Sequence, residues 1–183
     1  LKDVNKAAST FNPEKLLWIN HQYIMNSDPA HIAHHLSWYM GNLGIDPATG
    51  PDLVEVVKVQ RERAKTLVEL AEVSAFYYQD FEVYNKKAAK KAFKPAAIEV
   101  LEKAKEGMQA LKDWNQQDLH ALIESIVEVL EVGFGKVGMP LRLAVTGGAP
   151  SPELDMTLYL IGREACLRRI DKAIEYIHKT EVN

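Results

Sequence analysis

The chain has 183 residues, with 22 Lys+Arg against 25 Asp+Glu, 47% hydrophobic and 26% charged residues, the balance of an ordinary soluble globular protein of one domain or two small ones. A net charge of −3 argues against a uniformly basic nucleic-acid coat while leaving room for local basic patches, and the single Cys166 excludes an internal disulfide and any multi-cysteine zinc site. No apolar run approaches the ~18–20 residues of a membrane span, and the polar opening Leu1-Lys2-Asp3-Val4-Asn5 has no signal-peptide pattern, so the expectation is a cytoplasmic fragment or processed chain without a membrane partner.

Helix signals follow one another along the chain. Asn12-Pro13 and Asp28-Pro29 each put a capping side chain before a proline, whose missing N–H is harmless in the first turn. Gly50-Pro51 and Ser151-Pro152 are read in the same way. Leu53, Val56, Val57, Ala64 and Leu67 form a stripe expected on one long helix beginning near Pro51. Leu119, Leu122, Ile123, Ile126, Val127 and Leu130 step by threes and fours on a second. Leu167, Ile170, Ile174 and Ile177 make a third, with Arg168, Arg169 and Lys172 expected to point elsewhere. Loops are expected at 44–50, 80–85 and 147–150, and no Asn-Gly or Asp-Gly hairpin occurs. Each stripe must be buried against other helices, so the fold class is all-α. The aromatic stretch before Lys86 is the place to divide the chain, into subdomains 1–85 and 86–183.

Some residues suggest chemistry. His31, His34 and His35 share one helical face, a spacing that can chelate a metal, but no further ligand is evident and the plainer reading is an exposed face. Lys86/Lys90 and Lys87/Lys91, with Lys94 after them, form two adjacent rows that would attract phosphates without sequence preference, or simply be solvated. Phe76, Tyr77, Tyr78, Phe81 and Tyr84 can stack on bases or form core. Gly133-Phe134-Gly135-Lys136 lacks the spacing of a phosphate loop, no G-x-S-x-G elbow exists, and Cys166 falls in an apolar stripe. The residues alone describe a two-part helical module, binding rather than catalytic. A helical protein-interaction or metal-binding scaffold without RNA function remains the alternative.

Three stretches carry a resemblance. They are Phe11–Asn20 with Tyr23, Arg63-Ala64-Lys65-Thr66-Leu67, and Lys136-Val137-Gly138-Met139-Pro140-Leu141-Arg142-Leu143-Ala144-Val145-Thr146-Gly147 running on through Ser151-Pro152-Glu153-Leu154 to Ile161-Gly162-Arg163-Glu164. In this order they resemble the C-terminal anticodon-binding region of a bacterial glutamyl-tRNA synthetase, over essentially the whole chain.

The resemblance implies two packed helical subdomains, the second an α-helix cage, in a monomer whose partner is tRNA(Glu) and not DNA. It implies that ATP and Mg²⁺ serve a catalytic domain of the parent enzyme, with no cofactor or metal in this part, which alone would not aminoacylate. It assigns to Arg63 the reading of the third anticodon base. To Ser151, Pro152 and Leu154 it assigns the cradling of anticodon bases, with Leu154 packing on a base face, and to Arg142 a contact to base or phosphate. The chemistry agrees at Arg63: a guanidinium fork suits the acceptor edge of cytosine, whereas guanine would set N–H donors against it. Ser151 doubles as an expected helix N-cap, and Lys86, Lys87, Lys90 and Lys91 are candidate contacts to the RNA backbone.

Overall fold

The computed structural model describes residues 12–181, so Phe11 and the residues before it lie outside the described part. The described residues form ten α-helices, three single 3₁₀ turns and no strand. In chain order these are α1 (Pro13–Asn26), α2 (Pro29–Asn42), α3 (Leu53–Gln60), α4 (Leu67–Ser74), α5 (Lys86–Ala92), α6 (Ala96–Ala110), α7 (Gln116–Val129), α8 (Phe134–Thr146), α9 (Leu154–Ile161) and α10 (Arg163–Glu181). The 3₁₀ turns are Pro47–Thr49, Arg61–Arg63 and Ala75–Tyr77.

Two proline starts form as read: Asn12 Oδ1 accepts from the Lys15 amide at 3.1 Å, and Asp28 Oδ1 from the Ala30 amide at 2.9 Å. Two do not. After Gly50-Pro51 the helix waits for Asp52, which caps Val54 at 2.9 Å, so α3 begins at Leu53. After Ser151-Pro152 it waits until Leu154, and the Ser151 hydroxyl accepts from Arg142 instead of capping. Asp46-Pro47, expected inside a loop, caps the first 3₁₀ turn.

The long helix expected from Pro51 through Leu67 is two helices. α3 tightens into the 3₁₀ turn, Ala64 is extended at φ −137°, ψ 142°, and Thr66 caps α4 by accepting from the Glu69 amide at 3.1 Å. The Glu69 carboxylate reaches back to the Lys65 amide at 2.7 Å. The break therefore satisfies its own orphan donors, as a capping box does.

Helices α2, α3 and α4 pack on one another; α6, α7, α8, α9 and α10 form a second group with α5 laid on α8. Leu36, Met40, Val56 and Leu70 are buried in the first, Leu101, Met108, Leu119, Leu141, Leu158 and Ile170 in the second. Phe76 and Tyr77 are buried, and the 3₁₀ turn that holds them meets α9, so the aromatic stretch is core joining the groups. The three apolar stripes face this core, with one exception to the expected pattern. Arg169 does not point away: it is 3% exposed. Its guanidinium is held by Asp80 at 3.0 Å and by the carbonyls of Val145, Phe76 and Gln79 at 2.7, 2.8 and 3.0 Å, so its charge and donors are matched inside. Cys166 is buried, its thiol pushed up to about 12 by burial and therefore inert.

Candidate nucleic-acid interface

Helix α8 ends on Gly147 in the left-handed region (φ 68°), followed by Gly148 at φ 102°. A Cβ on Gly147 would stand 2.7 Å from the Phe81 ring, so a side chain is excluded there on both grounds. The reversal sends residues 148–153 back along α8. Arg142 meets them: its Nη1 donates to Ser151 Oγ and to the Pro152 carbonyl, and lies 3.4 Å from the Ser151 carbonyl. The resemblance brought Arg142, Ser151 and Pro152 to one place, and they are in direct contact. Nε and Nη2 of Arg142 have no hydrogen-bond partner among the described residues.

Arg63 ends the 3₁₀ turn between α3 and α4 and is exposed. One arm, Nη1, donates to the Val59 carbonyl at 2.7 Å; no carboxylate pairs with Arg63 among the described residues. The Glu62 side chain beside it forms no ion pair or hydrogen bond among the described residues. The Arg142 guanidinium is pushed below its ordinary value by burial, and secondly by the charge of Arg63 nearby. Burial pushes the Tyr77 phenol up, and the charges of the same two arginines oppose the shift. Asp155, whose charge acts on Arg142 from a distance, is itself engaged at 3.0 Å by His120 on α7 and at 2.7 Å by the Met156 amide, and neither arginine has a carboxylate partner among the described residues. Unbalanced positive charge of this kind attracts acceptor atoms and phosphates.

Gln60 joins the two sides. Fully buried at the end of α3, it donates through Nε2 to the carbonyls of Val73 at 2.9 Å and Pro150 at 3.0 Å, tying the Arg63 segment to the Ser151 loop. Sequence reasoning missed it, since a polar residue in an apolar stripe was the signal and was passed over.

Between α5 and α8 lies a groove of about 530 Å³, lined by Lys87, Lys91, Phe134, Met139, Arg142 and Gly148 among others. Lys87 and Lys91 face it; Lys86 and Lys90, on the neighbouring row, do not line it. Phe134 and Met139 are exposed apolar groups on the groove wall and were also missed, because a stripe pattern cannot say which apolar residue stays outside. Leu154 departs from expectation. It is 3% exposed, part of the core under α9, and offers no face to a base. His31, His34 and His35 are exposed on α2, their rings touching edge-on at 4.7 and 5.4 Å, and no group of His, Cys, Asp or Glu among the described residues has the number and placement to hold a metal ion. No helix among the described residues is long and apolar enough to cross a membrane.

A family model described as "Anticodon binding domain" matches residues 31–174. Among curated proteins, "Glutamate--tRNA ligase 1" of Alkalilimnicola ehrlichii is 49% identical over 179 residues, 98% of this chain and 38% of that protein. The protein of the same name from Nitrosococcus oceani is 49% identical over 177 residues, 97% of this chain and 38% of its own length. The chain therefore spans well under half of the relatives it matches. Among solved structures, a glutamate tRNA ligase from Elizabethkingia meningosepticum, in complex with its amino acid, superposes with a TM-score of 0.84 at 27% identity, covering 95% of this chain and 34% of that one. Glutamate-tRNA synthetase from Elizabethkingia anophelis gives 0.78 at 27% identity, over 94% and 33%. These matches favour the RNA reading over a protein-interaction or metal-binding scaffold. With its family match covering most of its length and its all-helical architecture shared with those enzymes, the chain belongs to the anticodon-binding domain family.

Proposed function

We propose that this chain is the anticodon-reading, C-terminal part of a glutamate–tRNA ligase, and that its task is recognition rather than chemistry. The observation that carries the reading is the hold of Arg142 on the Ser151–Pro152 loop, with Arg63 near enough for its charge to bear on Arg142 and neither arginine paired with a carboxylate among the described residues. Arg63 keeps donors free to read the third anticodon base, favouring cytosine over guanine for the reason of donor and acceptor pattern. Arg142 fixes Ser151 and Pro152 as the cradle for the neighbouring bases and presents its remaining donors to base or phosphate. Unpaired loop bases spread on a protein surface are how RNA sequence is ordinarily read.

Lys87 and Lys91 attract the RNA backbone along the α5–α8 groove, with Lys86 and Lys90 contributing from further off. The partner is tRNA(Glu), met by a monomer in the cytoplasm. The two parts, 1–85 and 86–183, act as one surface. Ligation of glutamate, with ATP and Mg²⁺, belongs to the portion of the longer polypeptide outside this chain; no residue here is assigned to either.

The test is fluorescence anisotropy with two labelled anticodon stem-loops that differ only in C or G at the third anticodon position, across a salt series. Tighter binding of the C form is expected. Arg63→Gln should lower that preference by about tenfold, within the ~1–3 kcal/mol of one bidentate contact, with an unchanged circular dichroism spectrum. Equal preference in wild type and variant would remove Arg63 from this role.

A further inference from the structure

Helix α1 is apolar most of the way round: Leu16, Leu17, Trp18, Ile19, Tyr23 and Ile24 fall in its 14 residues. A helix with that pattern belongs in a protein interior. Here only Ile24 is buried, while Leu16, Trp18 and Tyr23 are 52%, 60% and 69% exposed. Two of its polar residues, by contrast, bond to the rest of the protein. Asn20 Nδ2 donates to the Lys65 carbonyl, and His21, with the proton on Nδ1, donates to the Ala64 carbonyl at 2.8 Å. Those two carbonyls belong to the residues that directly follow Arg63 in the break between α3 and α4. The contact of α1 with the body of the described structure runs chiefly through this turn.

Two findings say what covers the outer surface. The anticodon-binding family match begins at residue 31, beyond the end of α1, whereas the match to the curated ligases takes in nearly the whole chain, α1 included. More than half of each of those relatives lies outside the match. Helix α1 is thus shared with the longer proteins and precedes the stretch that the family model matches.

We propose that α1 is an interface helix, whose apolar surface is covered by the remainder of the longer polypeptide and whose Asn20 and His21 carry that docking to the Arg63 turn. Positions of the anticodon reader and of the rest of the molecule are then coupled through two hydrogen bonds. Asn20 and His21 are positioning residues that touch no base; this second half rests on the assignment of Arg63 above, whereas the first does not.

The experiment uses the longer polypeptide and the 183-residue chain, each with every tryptophan except Trp18 replaced by phenylalanine, Trp38 and Trp114 included, so that Trp18 alone reports. Acrylamide quenching should be several-fold weaker in the longer polypeptide. Equal quenching in both would overturn the proposal. So would shielding of Trp18 in the short chain that grows with protein concentration, since the occupant would then be a second copy. In the longer polypeptide, His21→Ala and Asn20→Ala should each cut the C-over-G preference by about tenfold, a loss within the range a misplacement near 1 Å produces. His21→Gln, which keeps a donor, should restore it. Unchanged preference in both alanine variants, with Arg63→Gln still active in lowering it, would overturn the coupling. Loss of the Arg63→Gln effect itself would instead remove the base-reading assignment and leave the Trp18 result standing.

Discussion

On the proposed reading, Arg142 would serve structure and recognition with one side chain. Its Nη1 closes the 148–153 loop while two further nitrogens remain without a protein partner, so the loop is built by the group that would also face the RNA. Leu154 stands only two residues beyond that loop and does the opposite, turning into the core. The two roles separate in experiment. Leu154→Ala should destabilise the fold by about 2–5 kcal/mol, as large-to-small core changes do, in urea unfolding, yet leave the stem-loop affinity of the folded fraction within a factor of two or so. A large affinity loss without a loss of stability would return Leu154 to the binding surface. At this scale the sequence offers candidate residues but not their orientation. The run Ser151-Pro152-Glu153-Leu154 looks uniform in sequence, but its members divide between loop and core according to where α9 begins, and the Gly147–Gly148 reversal and the hold of Arg142 on the loop both lie outside the run itself.

At the scale of elements, the break between α3 and α4 is the feature that matters most for the site. A stripe from Leu53 to Leu67 is compatible with one helix, and periodicity alone prefers it. The decisive signal was the capping pattern Thr66-Leu67-Val68-Glu69, whose hydrogen bonds favour a new start over continuation. Without the break Arg63 would be one more residue on a helix flank; with it, the guanidinium sits on a corner within electrostatic reach of Arg142. Helix α5 shows the converse, where spacing in sequence was informative but incomplete. The two lysine rows are real, yet only Lys87 and Lys91 line the groove. Replacing that pair by alanine should reduce the slope of log K against log salt by about 1.4, from ~0.7 per phosphate contact on single strands. Replacing Lys86 and Lys90 should change the slope by less than half as much. Equal effects of the two pairs would mean that α5 acts through diffuse charge and that the groove has no privileged role.

Across the whole molecule, the two helical groups are joined by buried polar bonds as well as by apolar packing. The aromatic stretch and the lysine run suggested a division near residue 85; the means by which the helical groups are joined was not readable, because it depends on residues about 90 positions apart. Asp80, in the connecting segment, accepts from Arg168 at 3.0 and 3.1 Å, from Arg169 at 3.0 Å and from Lys172 at 3.2 Å, all on α10. Arg169 in turn holds carbonyls on both sides of the junction. Hydrogen bonds from Arg168 foremost, then Arg169 and Lys172, hold the Asp80 carboxyl well below its ordinary value of 3.8, against the opposing effect of burial. A carboxylate whose pKa is lower folded than unfolded stabilises the fold above the unfolded value, and that contribution disappears as pH falls through the range between the two. Asp80→Asn should therefore lower stability by about 1–3 kcal/mol near pH 7, less than a fully buried pair because Asp80 is partly exposed. The gap between wild type and variant, followed by thermal unfolding, should begin to narrow below about pH 5 and be small once most Asp80 is protonated in both states. A gap that stayed constant from pH 7 down to about pH 2 would show that shape rather than charge matters at this junction. Closure of the gap would show that the ionised Asp80, held by three cations of α10, stabilises the junction between the two helical groups through its charge.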